Sequence, residues 1–431
     1  MNYSEAYRRK VVTVEEALQQ IKSHHEVVCA LVACEPATLL GNLHTISDRV
    51  EDVSVVSALL LGQYEFFMNP AMKGHFLLNS WFYTDGPRAA HDLGTVSYVP
   101  LELHRFSNRR MNYRGPNVFI GTVSPMDKHG YFSLSLSTVM EKDFIENSDK
   151  VILEVNSNMP RTFGDTQVHI SEVDYLVETD RPVPEMPAAE LTEKDMLIGS
   201  YVADLIEDGS TIQIGFGGIP GAVALSLSHK KDLGVHSEMF TDCLLDLHEA
   251  GAITNRKKTI WKNKYVAAVA LGTRRLYDFL DDNMAVEFHR SSVVNDPAVI
   301  RKNHKMVSIN SALQMDLTGQ CSAESVGGRL FSGTGGHKEF VNGAQDSPGG
   351  KSIIAFYSTG RGDSVSRIMP QFEPGTIVTT SRIDVDYVVT EYGVACLRGR
   401  SVRERVKELI NIAHPHFRDF LNSEAQRNHI W

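Results

Sequence analysis

Gly215-Phe216-Gly217-Gly218-Ile219-Pro220-Gly221 separates a short β-branched run, Thr211-Ile212-Gln213-Ile214, from an apolar segment, Ala222-Val223-Ala224-Leu225-Ser226-Leu227. The run before it reads as a buried strand and the segment after it as a helix, with Pro220 and Gly221 near the first turn. Glycines at a strand-to-helix turn let backbone N–H groups approach a bound group closely, and a helix N-terminus favours negative charge there. Pro220 stands where the third glycine of a dinucleotide fingerprint would fall, and no G-K-[S/T] follows, so neither nucleotide motif is met. A turn of this composition also occurs in α/β proteins with no ligand. About one helix further on, His236-Ser237-Glu238-Met239 places a carboxylate where the next β-type stretch begins.

Working outward, apolar runs alternate with helical segments. Val27 to Val32, Val53 to Val56, Val118 to Ile120 and Val151 to Val155 read as strands. Val14 to Ile21 reads as a helix capped by Thr13, and Val402 to Ile412 as one capped by Ser401. Such alternation predicts an α/β fold with mostly parallel sheets. Thr179-Asp-Arg-Pro-Val-Pro-Glu-Met-Pro187 carries three prolines in six residues and reads as a linker, dividing the chain into domains 1–187 and 188–431. The second half repeats the first. Cys34-Glu35-Pro36 corresponds to Gly218-Ile219-Pro220 at an offset of 184, and Met126-Asp127-x-x-Gly130 to Met315-Asp316-x-x-Gly319 at 189. Two similar domains facing one another are therefore expected. Only the second copy has the full glycine set, which assigns the anion-suited loop to the C-terminal half.

The 431 residues carry 53 acidic and 43 basic side chains, a net charge of −10, with no basic block; general nucleic-acid binding is not expected. No apolar run reaches the ~18–20 residues needed to span a bilayer. The five cysteines form no C-x-x-C pair, and they read as reduced, buried thiols of a cytoplasmic protein. Seventeen histidines are dispersed without H-E-x-x-H, so no metal site is expected.

Taken together, the motifs resemble the acetyl-CoA hydrolase/transferase family of class I coenzyme A transferases. The resemblance rests on Gly215 to Val223, His236 to Met239, Asn295-x-Pro, Gly333-Thr-Gly-Gly-His-Lys-Glu-Phe340, Val378 to Arg382 and Val389-Thr-Glu-Tyr-Gly393, with Val123-Ser-Pro-Met-Asp-Lys-His-Gly130 from the first half. It implies a pair of CoA-transferase-like domains with the active site in the cleft between them. It also implies that Glu238 is the catalytic glutamate, carrying CoA as a γ-glutamyl thioester, and that Asn295 is an active-site asparagine. Gly215, Phe216, Gly217, Gly218 and Ile219 match a CoA-binding loop, and Leu313, Gly335 and Gly336 fall at further CoA contacts. Relatives often carry Asp where this chain has Glu339, which alters the exit of the second glycine loop.

The implied reaction moves CoA between a short-chain acyl-CoA and a carboxylic acid, such as 4-hydroxybutyrate or butyrate with acetate. Coenzyme A is substrate and covalent intermediate, and no permanently bound cofactor is implied. Family analogy also implies a homodimer or higher homo-oligomer. Acetyl-CoA hydrolysis and a non-catalytic CoA-binding regulator are the competing readings. A carboxylate suits the transfer because its acyl derivative is an anhydride matched in reactivity to the acids exchanged. Each step develops an oxyanion, and the Gly333 to Gly336 backbone is the expected source of donors.

Overall fold

The computed structural model describes residues 3–430. Seven strands of the first half, β1 (Glu26–Cys29), β2 (Val53–Ser57), β3 (Phe76–Ser80), β4 (Val96–Tyr98), β5 (Val118–Val123), β6 (Lys150–Asn156) and β7 (Tyr175–Thr179), form one parallel sheet. Its order is β7-β6-β5-β1-β2-β3-β4. Every residue of β1, β2 and β5 is buried, as the continuous apolar runs require of strands covered on both faces. Six later strands form the second sheet: β8 (Thr211–Ile214), β9 (Gly234–Val235), β10 (Met306–Ser311), β11 (Lys351–Ala355), β12 (Tyr387–Thr390) and β13 (Gly393–Cys396), in the order β9-β8-β10-β11-β12-β13. Only β13 runs antiparallel there.

The two sheets share a plan. Each begins with a strand, β1 or β8, that ends up flanked on both sides, so strand order reverses beside it. Such switch points are where open α/β sheets bind ligands. The short sequence matches fall at equivalent places, one pair after β1 and β8, the other after β5 and β10. Asp127 Oδ1 accepts from the N–H groups of His129 and Tyr131 at 2.8 and 3.0 Å; Asp316 Oδ1 does the same for Thr318 and Gln320 at 2.9 and 3.0 Å. Gly130 and Gly319 close these turns at φ +86° and +95°, a region that favours glycine.

The linear division at residue 187 needs one correction. The compact units are residues to Met186 with Val266–Val294, and Pro187–Tyr265 with Asn295 onward. The returning segment is held in the first unit by pairing of Val286–Phe288 with Phe163–Gly164 and by Arg290, which bridges Asp143 at 2.7 Å and Glu146 at 2.8 Å. Local apolar pattern carries no sign of such long-range pairing.

In the second unit, α1 (Glu193–Asp204) packs against α2 (Gly218–Leu227) so closely that a Cβ on Gly199 would lie 2.6 Å from the Ala222 carbonyl oxygen. α3 (His337–Gln345) lies beyond β10, and α4 (Val402–Asn411) starts at Ser401, whose side chain and Glu404 form a capping box. Leu409 and Ile410 of α4 join Met315, Ile354 and Val388 in one core cluster. The sequence-based boundaries of α2 and α4 differ from these by a few residues at their ends, where caps rather than apolar spacing decide.

One buried ion pair anchors the start of β1. Glu26 is fully buried and receives Arg110 at 2.5 Å and 2.7 Å, with Ser54 Oγ at 3.0 Å. Removing the guanidinium would strand that charge, with only Arg114 at 3.6 Å in partial compensation. Arg110→Met is expected to cost about 2–4 kcal/mol of stability, read from the chemical-denaturation midpoint. A loss within the ~0.5 kcal/mol of an ordinary surface change would mean that Glu26 is not held by this pair.

Candidate active site

β9 leads through His236 and Ser237, both buried, to a bend at Glu238, and the chain then extends again over Met239–Phe240. Two hydrogen bonds tie this bend to β8. His236 N–H donates to the Ile212 carbonyl and Ser237 Oγ to the Ile214 carbonyl, each at 3.2 Å. Ile214 immediately precedes Gly215, so the glycine turn and Glu238 leave the same strand end.

Two further segments close on the Glu238 carboxylate. Asn295 Nδ2 donates to its Oε2 at 2.7 Å, and the Gly336 N–H donates to it as well. A Cβ at residue 336 would stand 2.0 Å from Glu238 Oε2 and 2.4 Å from Asn295 Nδ2, so only glycine leaves room for this arrangement. The Asn295-Asp296-Pro297 motif divides its labour. Asp296 caps the helix Pro297–Ile300 by accepting from Ala298 N–H at 2.8 Å, which leaves Asn295 to face Glu238. Asn295 is fully buried, and its Oδ1 has no hydrogen-bond partner among the described residues. That oxygen is placed to take a donor from a bound molecule.

Burial is the main reason that the Glu238 carboxyl is pushed up to about 7; the Asn295 bond opposes the shift, and the charge of Glu339 adds to it. Glu339, in the first turn of α3, is only 2 % exposed. His337 beside it is driven down to about 4 by burial and is neutral at physiological pH. Two carboxyl groups thus share a weakly solvated region, and one of them is held close to half-protonated at neutral pH.

The glycine turn presents an open face. Gly217 has φ +113°, a conformation that strains any side chain, and Gly218 opens α2. Beneath Gly218 lies Asp195, whose Oδ1 would be 2.8 Å from an added Cβ; Thr192 and the Tyr357 hydroxyl, at 2.6 Å, fix that carboxylate. Nothing lies within 4 Å of a Cβ built on Gly215 or Gly217, and Phe216 is 48 % exposed. Ile219, by contrast, is buried.

The structure therefore brings together Glu238, Asn295 and Gly336, with Gly215 joined to them through Ser237. Gly335, at φ +52°, forms the turn that delivers Gly336 to the head of α3. Leu313 lies elsewhere in the second unit, on the wall of a cavity of about 570 Å³. Sequence reading missed the role of Glu339, which it noted only as a change at the loop's exit. The three-residue spacing from Gly336 placed both in one helical turn, but not the carboxylate 101 residues away that they face. Asp195 was missed because a Thr-x-x-Asp helix start is ordinary capping.

A parallel-sheet α/β unit with a half-buried, hydrogen-bonded carboxylate beside a glycine-headed helix is the class that fold and site define. Residues 1–187 match the profile of the acetyl-CoA hydrolase/transferase N-terminal domain, and residues 272–425 that of the acetyl-CoA hydrolase/transferase C-terminal domain. The chain is 43 % identical to the 4-hydroxybutyrate coenzyme A transferase of Clostridium kluyveri over 99 % of its own length and 100 % of the relative's. It is 41 % identical to the succinyl-CoA:cyclohexane-1-carboxylate CoA transferase of Geobacter metallireducens, over 99 % and 97 %. The crystal structure of RipA from Yersinia pestis superposes with a TM-score of 0.95 at 37 % identity, covering both chains fully. This protein belongs to the acetyl-CoA hydrolase/transferase family.

The raised Glu238 carboxyl has a consequence for stability. Its unfolded value is near 4.5 and its folded value about 7, so the native state binds the extra proton between these limits. Stability is then lost as pH rises through that window, and the deficit is complete above about 7. Glu238→Gln is expected to be more stable than the wild type by about 1–3 kcal/mol at pH 8, with the difference gone at pH 4. Denaturation midpoints at the two pH values test this; equal gains at both would point to packing rather than charge.

Proposed function

We propose that this protein transfers CoA between a short-chain acyl-CoA and a carboxylic acid through a glutamyl-CoA thioester on Glu238. The observation that carries the reading is the Glu238 carboxylate held by Asn295 and by the backbone of a glycine that admits no side chain. Glu238 attacks the acyl-CoA carbonyl, the C–S bond breaks, and a mixed anhydride forms with free CoA thiolate. The thiolate attacks the glutamyl carbonyl of the anhydride, giving glutamyl-CoA and releasing the first acid as its carboxylate. An acceptor carboxylate then attacks the thioester, and the same two steps in reverse return the CoA as a new acyl ester.

The electrostatics favour this use. Acylation turns a partly buried, charged carboxylate into a neutral thioester and removes its repulsion with Glu339. The effects that raise its proton affinity therefore also lower the cost of the intermediate. Asn295 Nδ2 and the Gly336 N–H, which hold the carboxylate at rest, are the donors nearest to the oxyanion that each attack develops. The open turn at Gly215 to Gly218, heading a ten-residue helix, suits the CoA chain. Curated relatives are named for 4-hydroxybutyrate and for butyrate with acetate, and these are the acids proposed here. Acetyl-CoA hydrolysis is separated from transfer by whether CoA ester formation depends on the acceptor acid. A homo-oligomer in the cytoplasm accompanies this reading, and sedimentation tests the first part. Among the described residues, no helix is long and apolar enough to cross a membrane, and no group of three or more His, Cys, Asp or Glu is placed to hold a metal ion.

Acyl-CoA without an acceptor should load CoA onto Glu238. Borohydride reduces a thioester but not a carboxylate, so it should inactivate only the loaded enzyme. Mass spectrometry should then find an alcohol in the peptide spanning His236 to Met239, and prior addition of an acceptor acid should protect. Reduction mapping to another carboxylate would move the nucleophile, and inactivation independent of donor would refute the covalent route.

The nucleophile must also be ionised to attack. With its carboxyl near 7, kcat/KM for acyl-CoA should rise with pH through about 7 and then level. A profile flat from pH 5 to 8 would contradict the assignment.

A further inference from the structure

Glu238 stands three residues beyond β9, and β9 is an edge strand of the second sheet. Gly234 N–H and His236 N–H donate to the Ser210 and Ile212 carbonyls, at 2.9 and 3.2 Å. The N–H and C=O of Val235 between them therefore point outward, where an edge strand ordinarily meets water. Both are taken by side chains instead. Val235 N–H donates to Asn255 Oδ1 at 2.9 Å, and the Val235 carbonyl accepts from Lys258 Nζ at 2.7 Å. Just upstream the same segment takes the edge through its backbone. Leu233 N–H donates to the Ala252 carbonyl, and Thr254 and Asn255 N–H donate to the Leu233 carbonyl. Residues 252–258 thus serve β9 as a further strand would, with two side chains standing in for backbone at its last residue.

An ammonium is a costly way to fill this place. Lys258 is 1 % exposed, and a Cβ on Gly234 would lie 2.4 Å from its Cγ, so its stem is packed against β9. An apolar residue would occupy the same space without the desolvation. What the ammonium adds is direction. Besides Val235 it donates to the Lys264 carbonyl at 2.7 Å, which closes the loop on itself. That loop is strained as well, with φ of +57° at Asn255, +48° at Trp261 and +63° at Asn263. A residue as bulky as tryptophan persists in the left-handed region only where its surroundings enforce it.

The loop reaches all three segments that meet at the carboxylate. Asn255 and Lys258 hold the one that carries Glu238. Thr259 Oγ1 accepts from His304 N–H at 3.1 Å, on the segment that begins with Asn295. The Trp261 ring lies 5.9 Å from that of His236, and His236 lies 6.2 Å from Phe340. Phe340 in turn stands one turn beyond Gly336, its Cδ2 3.2 Å from where a Cβ on that glycine would be. Displacements much smaller than a residue matter at such a site, because a misplacement of about 1 Å far from the chemistry can cost 10²-fold in rate.

We propose that Asn255 and Lys258 are positioning residues for Glu238: by clamping the open edge of β9 they fix where its carboxylate stands against Asn295 and Gly336. Both act through Val235. As a statement about transfer the proposal rests on Glu238 being the nucleophile, whereas the placement itself is read without turnover.

The test uses the full-length enzyme with acetyl-CoA as donor. Lys258→Met keeps the length of the side chain and loses its donors. Asn255→Gly keeps the left-handed backbone and loses the acceptor, whereas Asn255→Asp keeps both. In the first two variants kcat per folded enzyme should fall about 10- to 100-fold, with the dissociation constant for CoA unchanged by calorimetry. Asn255→Asp should recover most of that loss. Placement is read separately by a double-mutant cycle on chemical denaturation at pH 8. The gain in midpoint from Glu238→Gln should shrink by about half or more in the Lys258→Met background, since a carboxylate released from its weakly solvated place has less to gain. A merely structural Lys258 would lower both midpoints equally, preserve the gain and leave kcat unchanged; that result would overturn the proposal. A gain that grows would overturn it too, by making Lys258 a charge partner rather than a clamp. Should Lys258→Met fail to fold, Asn255→Gly carries both measurements. Should the wild type transfer CoA without donor-dependent labelling of Glu238, the nucleophile assignment fails alone, and the midpoint cycle still decides the clamp.

Discussion

A carboxylate wedged against a glycine is the constraint on which the second unit depends. Glu238 meets Gly336 so closely that a single methyl group at 336 would occupy the position of its oxygen. This requirement explains several features at once. Gly335 must turn the chain at positive φ so that α3 starts where its first N–H points at Glu238. Asn295 must stand at the end of a loop whose next residue is already committed to capping. Glu339, one turn into α3, is then forced into the same weakly solvated region. A stable resting protein would gain from separating the two carboxyl groups; keeping them together raises the proton affinity of Glu238.

The glycine turn after β8 obeys a related logic at a different scale. Gly217 is needed for its backbone angle and Gly218 for the carboxylate of Asp195 beneath it, whereas Gly215 is needed for neither. A glycine with free space at its Cβ position and ordinary backbone angles has no reason internal to the fold. The reason lies in what approaches from outside, which is why Gly215 speaks for a ligand more clearly than the two glycines the fold already demands.

Much of this was legible in the sequence because it is local. Apolar runs flanked by turn residues identified the strands, and Thr13 and Ser401 marked helix starts through their own side chains. The proline-rich stretch marked a boundary that the compact units share at Met186 and Pro187. Glu238, Asn295 and Gly336 were legible as motifs, although the contact joining them spans nearly a hundred residues. What stayed hidden depends on tertiary placement alone. The return of residues 266–294 to the first unit rests on pairing with Phe163 and on the ion pairs of Arg290, and none of these has a local signature. Glu339 looked like any acidic residue in the first turn of a helix, a position that the helix dipole favours in any case.

The two halves share a plan, and their difference shows how a binding site is gained or closed. After β1, the turn that corresponds to the glycine loop carries Glu35, and its carboxylate is filled from within by Leu61 N–H at 2.8 Å, Gly62 N–H at 3.0 Å and the Tyr64 hydroxyl at 2.7 Å. On β6, Glu154 accepts from Leu39 N–H at 2.6 Å, at the head of the helix that leaves this turn. Burial raises both carboxyls above their ordinary range, that of Glu154 to about 7. An anion arriving there would find the backbone donors taken and two acidic groups in its way. In the second unit the strand at the equivalent place in the sheet is β11, Lys351-Ser-Ile-Ile-Ala355, which has no carboxylate, and the turn itself is glycine. The same switch point is therefore closed by the protein's own anions in one half and left open in the other, so the fold alone does not decide which half meets the ligand. Two glutamates and a run of glycines do.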